Sequence, residues 1–245
     1  GVTHSGTTNL YVRGGGVANA EGAILTHGSM DGGGESTGGS GITAWGGFVF
    51  ADGADVSNSN TYGAQAAHGG VLAFRNGKAN DCGRHAVRAT NGALVDCRSS
   101  EANNAGVHGY YALAGGQLNA YGGSALNAGT NGIFASNGSS VNAREVDVSG
   151  SNVGVNATAN SSVNFYLGVA NNCGDIGIRA NSLSIVNGYG ATVNGAGSTG
   201  VVADNLSFVS LEGAVIQNSQ VLDLEVLQGS QISANRTRTT NSETL

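Results

Sequence analysis

The sequence has no proline, only one methionine and one tryptophan among 245 residues, and only 11% charged residues. The spacing of its three cysteines, Cys82, Cys97 and Cys173, fits neither a disulfide framework nor a zinc site, so we expect buried free thiols. The ten Lys and Arg residues form no basic block, which argues against a nucleic-acid partner. No apolar run approaches the roughly 18–20 residues that span a bilayer, so no membrane insertion is expected.

The chain is instead rich in glycine and other small residues. The chain contains 43 Gly, more than twice ordinary usage, and 40% of its residues are hydrophobic. That apolar fraction distinguishes it from most disordered chains. Low charge with many small residues is typical of a tightly wound backbone with short turns. The chain begins at Gly1 without a Met, so we expect a processed or cropped piece of a longer protein.

A repeat organises the chain. A Gly-apolar-x-small motif recurs at nearly constant spacing, at Gly16, Gly41, Gly63, Gly106, Gly132, Gly154, Gly177 and Gly200, with His85 filling the gap. An independent apolar column keeps the same period, at Val49, Leu72, Val95, Leu118, Val141, Val163, Val186, Phe208 and Ile232. A weaker third column contains Val56, Ala79, Ser99, Ala125, Val148, Ala170, Val193 and Val215. Two columns that share a period of about 22–23 residues indicate a solenoid.

The repeat predicts an all-β fold. Its length is too short for a helix pair or a propeller blade, and the Leu pattern of leucine-rich repeats is absent. We therefore predict a right-handed parallel β-helix formed by a single chain, with about 9–10 coils of 22–23 residues and three short strands per coil. Coils stacked at about 4.8 Å give a rod about 45 Å long.

The domain organisation follows from the regularity of the repeat. The β-helix is expected over residues 41–235. Residues 1–40 are read as an irregular Gly-rich opening segment, and residues 236–245 as a polar tail or the start of a further domain. Gly and Asn suit the corners between strands because they tolerate a positive φ, and proline would remove a ladder hydrogen bond on almost every coil.

One exposed column is rich in arginine and tyrosine. The third residue after each apolar anchor gives the Arg/Tyr ridge: Arg75, Arg98, Tyr121, Arg144, Tyr166 and Tyr189, preceded by Asp52 and followed by Leu211. Tyr stacks on sugar faces and Arg binds acidic groups, so the ridge suits glycan contact. The same residue types suit a subunit interface, and a solvated face with cross-coil ion pairs and cation–π contacts is the third interpretation.

Other columns favour structural roles. Asn119, Asn142, Asn164 and Asn187 predict an asparagine ladder between coils. Asp52 with Arg75, and Asp55 with Lys78 and Glu101, lie one repeat apart and predict cross-coil ion pairs.

No catalytic site stands out. Glycoside hydrolysis needs two carboxylates about 5–9.5 Å apart. Glu145 and Asp147, two residues apart, are weak candidates because they would share a strand face. Asp223 and Glu225 have the same spacing and would also share a strand face, and Asp96 with Glu101 and Asp31 with Glu35 are further options. His85 and His108 lie one repeat apart, which we interpret as a surface pair or a satisfied interior.

Across residues 41–235 the chain resembles the right-handed parallel β-helix superfamily that includes pectate lyases, and it is most similar in style to bacteriophage tail spikes and tail fibres. The coil length, the apolar column, the Gly-containing corners and the Asn column carry the resemblance. It implies a homotrimer in the virion tail, assembled with other virion tail proteins, that binds bacterial surface polysaccharide. A secreted or bacterial surface location is the alternative.

The departures from that superfamily limit what can be carried over. The polygalacturonase motifs (Asn-Thr-Asp, Asp-Asp, Gly-His-Gly and Arg-Ile-Lys) and the calcium-binding Gly-Gly-x-Gly-x-Asp repeats are absent. No catalytic residue is therefore assigned, and no cofactor or metal is expected. The sequence favours a structural and adhesive tail component, while a polysaccharide lyase or hydrolase and a bacterial adhesin passenger stay open.

Overall fold

The computed structural model describes residues 8–26 and 39–240, and this part of the chain consists of parallel strands without a helix. The prediction of a parallel β-solenoid is confirmed. The Gly-rich run inside the predicted opening segment, the Asp31 and Glu35 pair, and the last positions of the tail, 241–245, lie outside the described residues.

The strands pair only with their counterparts in neighbouring coils. The first sheet contains β1 (Thr8–Arg13), β3 (Ser40–Trp45), β5 (Tyr62–Ala67), β7 (His85–Thr90), β9 (His108–Leu113), β11 (Asn131–Ser136), β13 (Val153–Ala157), β15 (Ile176–Ala180), β18 (Thr199–Ala203) and β21 (Leu222–Val226). The second sheet contains β2 (Val17–Asn19), β4 (Phe48–Phe50), β6 (Val71–Ala73), β8 (Leu94–Asp96), β10 (Gln117–Asn119), β12 (Ser140–Asn142), β14 (Ser162–Asn164), β16 (Ile185–Asn187), β19 (Phe208–Ser210) and β22 (Gln231–Ser233). The third sheet contains β17 (Thr192–Asn194), β20 (Val215–Gln217) and β23 (Arg238–Thr239).

The third side of each coil is shorter than predicted. In the earlier described coils it is a single bridge residue, as in the run from Asp55 through Lys78 to Glu101, and a strand forms there only in the last three coils. Left-handed residues close this side at both ends, as Asn76 and Asp81 do in one coil, and so restrict the length that can pair.

The pairing of the strands in the structure corrects several positions in the columns predicted from the sequence. In the second sheet Val186 pairs with Val209, which is buried, whereas Phe208 is 36% exposed. A one-residue slip turns a strand side chain to the opposite face, and the two adjacent apolar residues could not be told apart by pattern. The ridge therefore continues to Glu212 in place of Leu211.

The same correction applies to the other two columns. Gly109, not Gly106, aligns with Gly132, because Tyr110 pairs with Ile133. Ala86 replaces His85 in the Gly column, since Val87 pairs with Ala64. On the third side, Ala102 replaces Ser99 and Ile216 replaces Val215.

The corner between the first and second sheets is a tight turn with two successive left-handed residues. In one coil these are Asn91 (φ 53°) and Gly92 (φ 70°), and the Ala93 N–H donates to the Thr90 carbonyl at 3.2 Å. This geometry favours Gly at the second position. Two later coils carry Leu183 (φ 63°) and Leu206 (φ 60°) there instead.

The interior is filled by stacked columns of small and medium apolar side chains, with occasional aromatic rings. Phe74 and Phe165 are fully buried, and each faces a glycine three residues later. A Cβ added at Gly77 or Gly168 would lie 2.5 or 2.4 Å from the corresponding ring. The three cysteines are free and buried, as predicted, and burial raises the pKa of Cys82 and Cys173 to about 12.

The described strands also continue past the predicted domain limits. Strand β1 pairs in register with β3, and β23 pairs with β20, so residues 8–26 and the start of the polar tail take part in the sheets. Within the described part of the chain, no helix is long and apolar enough to cross a membrane.

Candidate functional site

The outer face of the first sheet carries two parallel rows of aromatic, histidine and amide side chains. In the first row Tyr62 pairs with His85, His85 with His108, and His108 with Asn131. In the second row, three residues further along each strand, Gln65, Arg88, Tyr111 and Phe134 follow one another. The sheet register thus brings together side chains that lie one full repeat apart in sequence.

Between these rows and the adjoining corner lies a groove of about 380 Å³. We call it the first-sheet groove and define it by the side chains Trp45, Tyr62, His68, Arg84, Arg88 and Tyr111, with His85 buried between them. None of the described residues that line it is Asp or Glu. A concave site with aromatic walls and a few converging polar groups is the usual form of a ligand site.

The rings of the first row form a continuous stack. His85 lies parallel to Tyr62 with ring centroids 5.4 Å apart, and parallel to His108 at 4.9 Å. Tyr111 of the second row leans against His85 at 4.4 Å with its ring tilted by 34°. At the edge of the groove Trp45 contacts His68, with centroids 3.9 Å apart. These contacts hold the walls of the groove in fixed positions.

Arg88 is held between two tyrosine rings. Its guanidinium carbon lies 4.7 Å from the ring centroid of Tyr62 and 5.7 Å from that of Tyr111. Its Nη1 donates to Gln65 Oε1 at 3.1 Å, while its buried Nε has no hydrogen-bond partner among the described residues. Arg88 also forms no ion pair within the described part of the chain. It is therefore a positioned cation whose charge no described carboxylate neutralises.

The two stacked histidines are neutral around neutral pH. Burial, reinforced by the charges of His108, Arg88 and Arg84, lowers the pKa of His85 to about 2. Burial is also the main cause that lowers the pKa of His108 to about 4. The Asn131 amide nitrogen lies 3.0 Å from His108 Nδ1, which accepts its hydrogen when the ring is neutral. His85 Nδ1 has no partner among the described residues.

The Arg/Tyr ridge divides into two halves, and the first is ion-paired. Arg75 donates to Asp52 from Nε at 2.8 Å and from its backbone N–H at 2.9 Å, and its Nη2 also contacts that carboxylate. Arg98 binds Asp96 through two hydrogen bonds of 2.8 and 2.7 Å. Burial alone would raise the pKa of Asp52, but hydrogen bonds and charge from Arg75 outweigh it, and the pKa is lowered.

The second half of the ridge is a ladder of rings. Arg144 lies between Tyr121 and Tyr166, with its guanidinium carbon 5.7 and 4.7 Å from the two centroids. Tyr166 stacks on Tyr189 at 5.1 Å and 5° between the planes. Both faces of Tyr166 are therefore occupied by its ladder neighbours, which leaves its edge for other contacts. This geometry matches the cross-coil stacking interpretation, while glycan contact or an interface stays a prediction.

The asparagine ladder is confirmed on the second sheet. Amide nitrogens donate to the oxygen of the preceding coil from Asn142 to Asn119 at 2.9 Å, from Asn164 to Asn142 at 3.3 Å and from Asn187 to Asn164 at 3.1 Å. Because each amide is used by its neighbours, the ladder joins coils and leaves little free hydrogen-bonding capacity.

The weak catalytic candidates do not lie on one strand face. Glu145 occupies a left-handed corner position (φ 56°) and is exposed. Asp147 lies on the third side, where its carboxylate accepts from the backbone N–H of Ser149 at 3.0 Å and from its hydroxyl at 2.6 Å. Because Glu145 lies in a corner, the two residues are not on one strand and the rule that residues two apart share a face does not apply to them. Neither residue lines the first-sheet groove.

The other carboxylate pairs are also used structurally. Asp223 is fully buried and accepts from the backbone N–H of Ser219 at 3.2 Å and from the Thr240 hydroxyl at 3.0 Å, whereas Glu225 is partly exposed. The expectation that these two share a face is wrong, because Glu225 pairs with Val202 in the row that contains Arg179, whereas Asp223 is fully buried. Glu101 accepts from the Asn80 amide at 2.9 Å.

Sequence reasoning recognised the spacing of His85 and His108 but missed the groove. The signal was present, because Tyr62 lies one repeat before His85, and Tyr111 lies one repeat after Arg88. These outward rows have mixed chemistry, so an apolar-column search passes over them. For comparison with known proteins, a scan against protein-family models finds no match, and neither does a search of the curated proteins.

Proposed function

We propose that this chain is a structural and adhesive solenoid that binds saccharide on a cell surface through the first-sheet groove. The observation that carries the proposal is the meeting of Trp45, Tyr62 and Tyr111 with Arg88 in one concave site. Aromatic rings offer flat apolar faces to sugar rings, and a positioned guanidinium offers hydrogen-bond donors to their oxygens. The regular stack of coils supplies a rigid scaffold for this site.

The setting we propose is a trimeric bacteriophage tail fibre or tail spike that attaches to bacterial surface polysaccharide. The resemblance of the coil pattern supports that setting, as well as the location in a virion tail and the association with other tail proteins. The groove supports saccharide binding independently of the setting. The two parts of the proposal therefore have separate tests.

Adhesion is favoured over cleavage by the state of the groove's titratable groups. A general base works best when its pKa lies near the operating pH. The pKa of His85, about 2, and that of His108, about 4, lie far below it. Burial raises the pKa of Tyr111, and none of the described lining residues is a carboxylate. The groove is thus better suited to hold a sugar than to transfer its protons.

The test is a polysaccharide-binding assay with two matched variants. We expect Trp45→Ala/Tyr111→Ala to abolish binding to an array of bacterial surface polysaccharides. The ridge variant Tyr121→Ala/Arg144→Ala/Tyr166→Ala should retain it. Loss in the ridge variant with retention in the groove variant would move the site to the ridge. Release of reducing or unsaturated ends from any bound polysaccharide would contradict the adhesive assignment, and loss of that release in Glu145→Gln would place cleavage at the corner.

The trimer is tested by the native mass. Sedimentation or light scattering of the protein with its natural flanking sequence should give three chains per particle. A monomer would contradict the tail-fibre setting and favour a lone adhesin, while leaving the saccharide site as proposed.

A further inference from the structure

We infer that the first-sheet groove selects an anionic saccharide, with the Arg88 guanidinium as the anchor for a carboxylate or sulfate of the ligand. This inference rests on the proposed saccharide binding and adds the charge of the ligand. It is carried by the contrast between Arg88 and the two ion-paired arginines of the ridge, Arg75 and Arg98.

In the first half of the Arg/Tyr ridge the arginines are ion-paired, whereas Arg144 in the second half lies between two tyrosine rings and forms no ion pair with a described residue. Arg75 has Asp52 one coil before it, and Arg98 has Asp96 two residues before it, each within hydrogen-bond distance.

At Arg88 the corresponding positions are neutral. Its neighbours in the same row are Gln65 one coil before and Tyr111 one coil after. Gln65 engages only Nη1, through its amide oxygen at 3.1 Å. Nε and Nη2 of Arg88 make no hydrogen bond with any described residue, and Nε is buried. Arg88 as a whole is only half-buried, so Nη2 is the unused charged donor that a ligand oxygen could accept from, and such a hydrogen bond to a charged group is favourable.

The surroundings reinforce the preference for an anion. Among the described residues, the charged groups that act on His85 are Arg88, Arg84 and His108, all of them cationic when charged. Burial raises the pKa of Tyr111, while the charges of Arg88 and Arg84 lower it and Tyr62 raises it. The chain as a whole carries a net charge of −6, whereas the charged side chains among the described lining residues of the groove are Arg84 and Arg88. The field of an unneutralised cation in a site with low-dielectric walls favours anionic ligands.

Arg88 is also preorganised. The rings of Tyr62 and Tyr111 hold the guanidinium from two sides, at 4.7 and 5.7 Å, and so reduce the side-chain entropy lost on binding. The planar guanidinium matches the two oxygens of a carboxylate, and the neighbouring rings can contact the sugar that carries it. A carboxylate on a pyranose ring satisfies both contacts at once.

The experiment compares acidic polymers with their neutral counterparts. Alginate and polysialic acid are each used beside a carboxyl-reduced form, in which the carboxylate is replaced by a hydroxymethyl group, and dextran sulfate is used beside dextran. We expect binding of at least one acidic polymer with at least about tenfold loss on its neutral counterpart, the size of one charge-assisted hydrogen bond. Arg88→Gln should show the same loss on the acidic polymer.

Arg98→Gln is the matched control, since it removes the same charge from an exposed arginine on the ridge. It should bind as the wild type does. Equal affinity for acidic and neutral forms, or retention of acidic binding in Arg88→Gln, would overturn the inference and leave saccharide binding in place. Binding to none of the six polymers would overturn both the inference and the assignment of the groove.

Discussion

The imidazole of His85 stacks face to face on that of His108 in the next coil, with ring centroids 4.9 Å apart and planes 8° apart. Protonation of both rings in this arrangement is unfavourable, because two positive charges at this distance repel each other. Burial lowers the pKa of both rings, so the folded state excludes protons that the unfolded chain would accept.

Acid is therefore expected to destabilise the fold from about pH 6.5 downward, where unfolded histidine begins to bind protons. Since the folded pKa of His85 is about 2 and that of His108 about 4, the loss continues to about pH 4 for both rings and below that for His85 alone. Each histidine contributes a slope of about 1.4 kcal/mol per pH unit. Urea unfolding between pH 6.5 and 4.5 measures this slope.

The controls for that prediction lie in the same coils. His108→Asn should roughly halve the slope, because an amide cannot take up the proton. An unchanged slope in the His85→Asn/His108→Asn double variant would contradict the account.

The buried hydroxyl of Tyr110 should contribute measurably to stability. It donates to the Ser100 carbonyl at 2.7 Å and lies 3.0 Å from the Ser100 hydroxyl. Tyr110→Phe leaves these groups without their partner and is expected to reduce the free energy of unfolding by about 1–2 kcal/mol. Tyr121→Phe, at an exposed ring, should stay within about 0.5 kcal/mol of the wild type. Equal stability of both variants would contradict the role assigned to Tyr110.

The glycine opposite Phe165 should not accept a methyl group. A Cβ at Gly168 would lie 2.4 Å from the ring, so Gly168→Ala is expected to destabilise the fold by about 1–3 kcal/mol through overpacking. Gly53→Ala is the comparison, because its Cβ meets nothing within 4 Å and only its positive φ of 68° opposes the change. In the double variant Phe165→Leu/Gly168→Ala, the smaller leucine side chain leaves room for the added methyl group. This variant should therefore recover part of the stability that Gly168→Ala loses. No recovery in thermal unfolding would count against the packing explanation.

Replacement of Leu206 by a residue that tolerates a positive φ should increase the stability of the protein. It has φ 60° and is 64% exposed, so it combines left-handed strain with little burial. Leu206→Asn is expected to stabilise the protein by up to about 1 kcal/mol. Leu94→Asn, at an exposed strand position with ordinary φ, should be neutral or destabilising because Asn disfavours strands. Destabilisation by both changes would mean that the Leu206 side chain makes contacts that outweigh its strain.

Much of the fold could be predicted from the sequence because the coil repeats a buried column. Val141 and Val163 share a position in the stack, and each is the third residue of a Ser-Ser-Val-Asn tetrapeptide, at 139–142 and 161–164. The asparagine ladder followed from the same count. Where two apolar residues adjoin, as at Phe208 and Val209, the pattern could not choose between them, and only the strand pairing does.

The groove could not be derived in the same way. Its two rows, represented by His85 and Arg88, lie on one strand, three residues apart, yet they meet on one face, where the rings of His85 and Tyr111 are 4.4 Å apart. Strict alternation would place residues three apart on opposite faces. The ridge was found from its spacing, but the sequence could not show that Tyr166 directs its faces at Arg144 and Tyr189.

The most direct test of the groove uses its own tryptophan. Trp45 is the only tryptophan of the chain and lines the groove, so its fluorescence reports on that site alone. Titration with the acidic polymer that binds best should change the intensity or wavelength of its emission, with saturation at the affinity found in the binding assay. Arg88→Gln should abolish the change, and Arg98→Gln should retain it. Saturable binding of the polymer with an unchanged Trp45 spectrum would contradict the central claim that the first-sheet groove is the binding site.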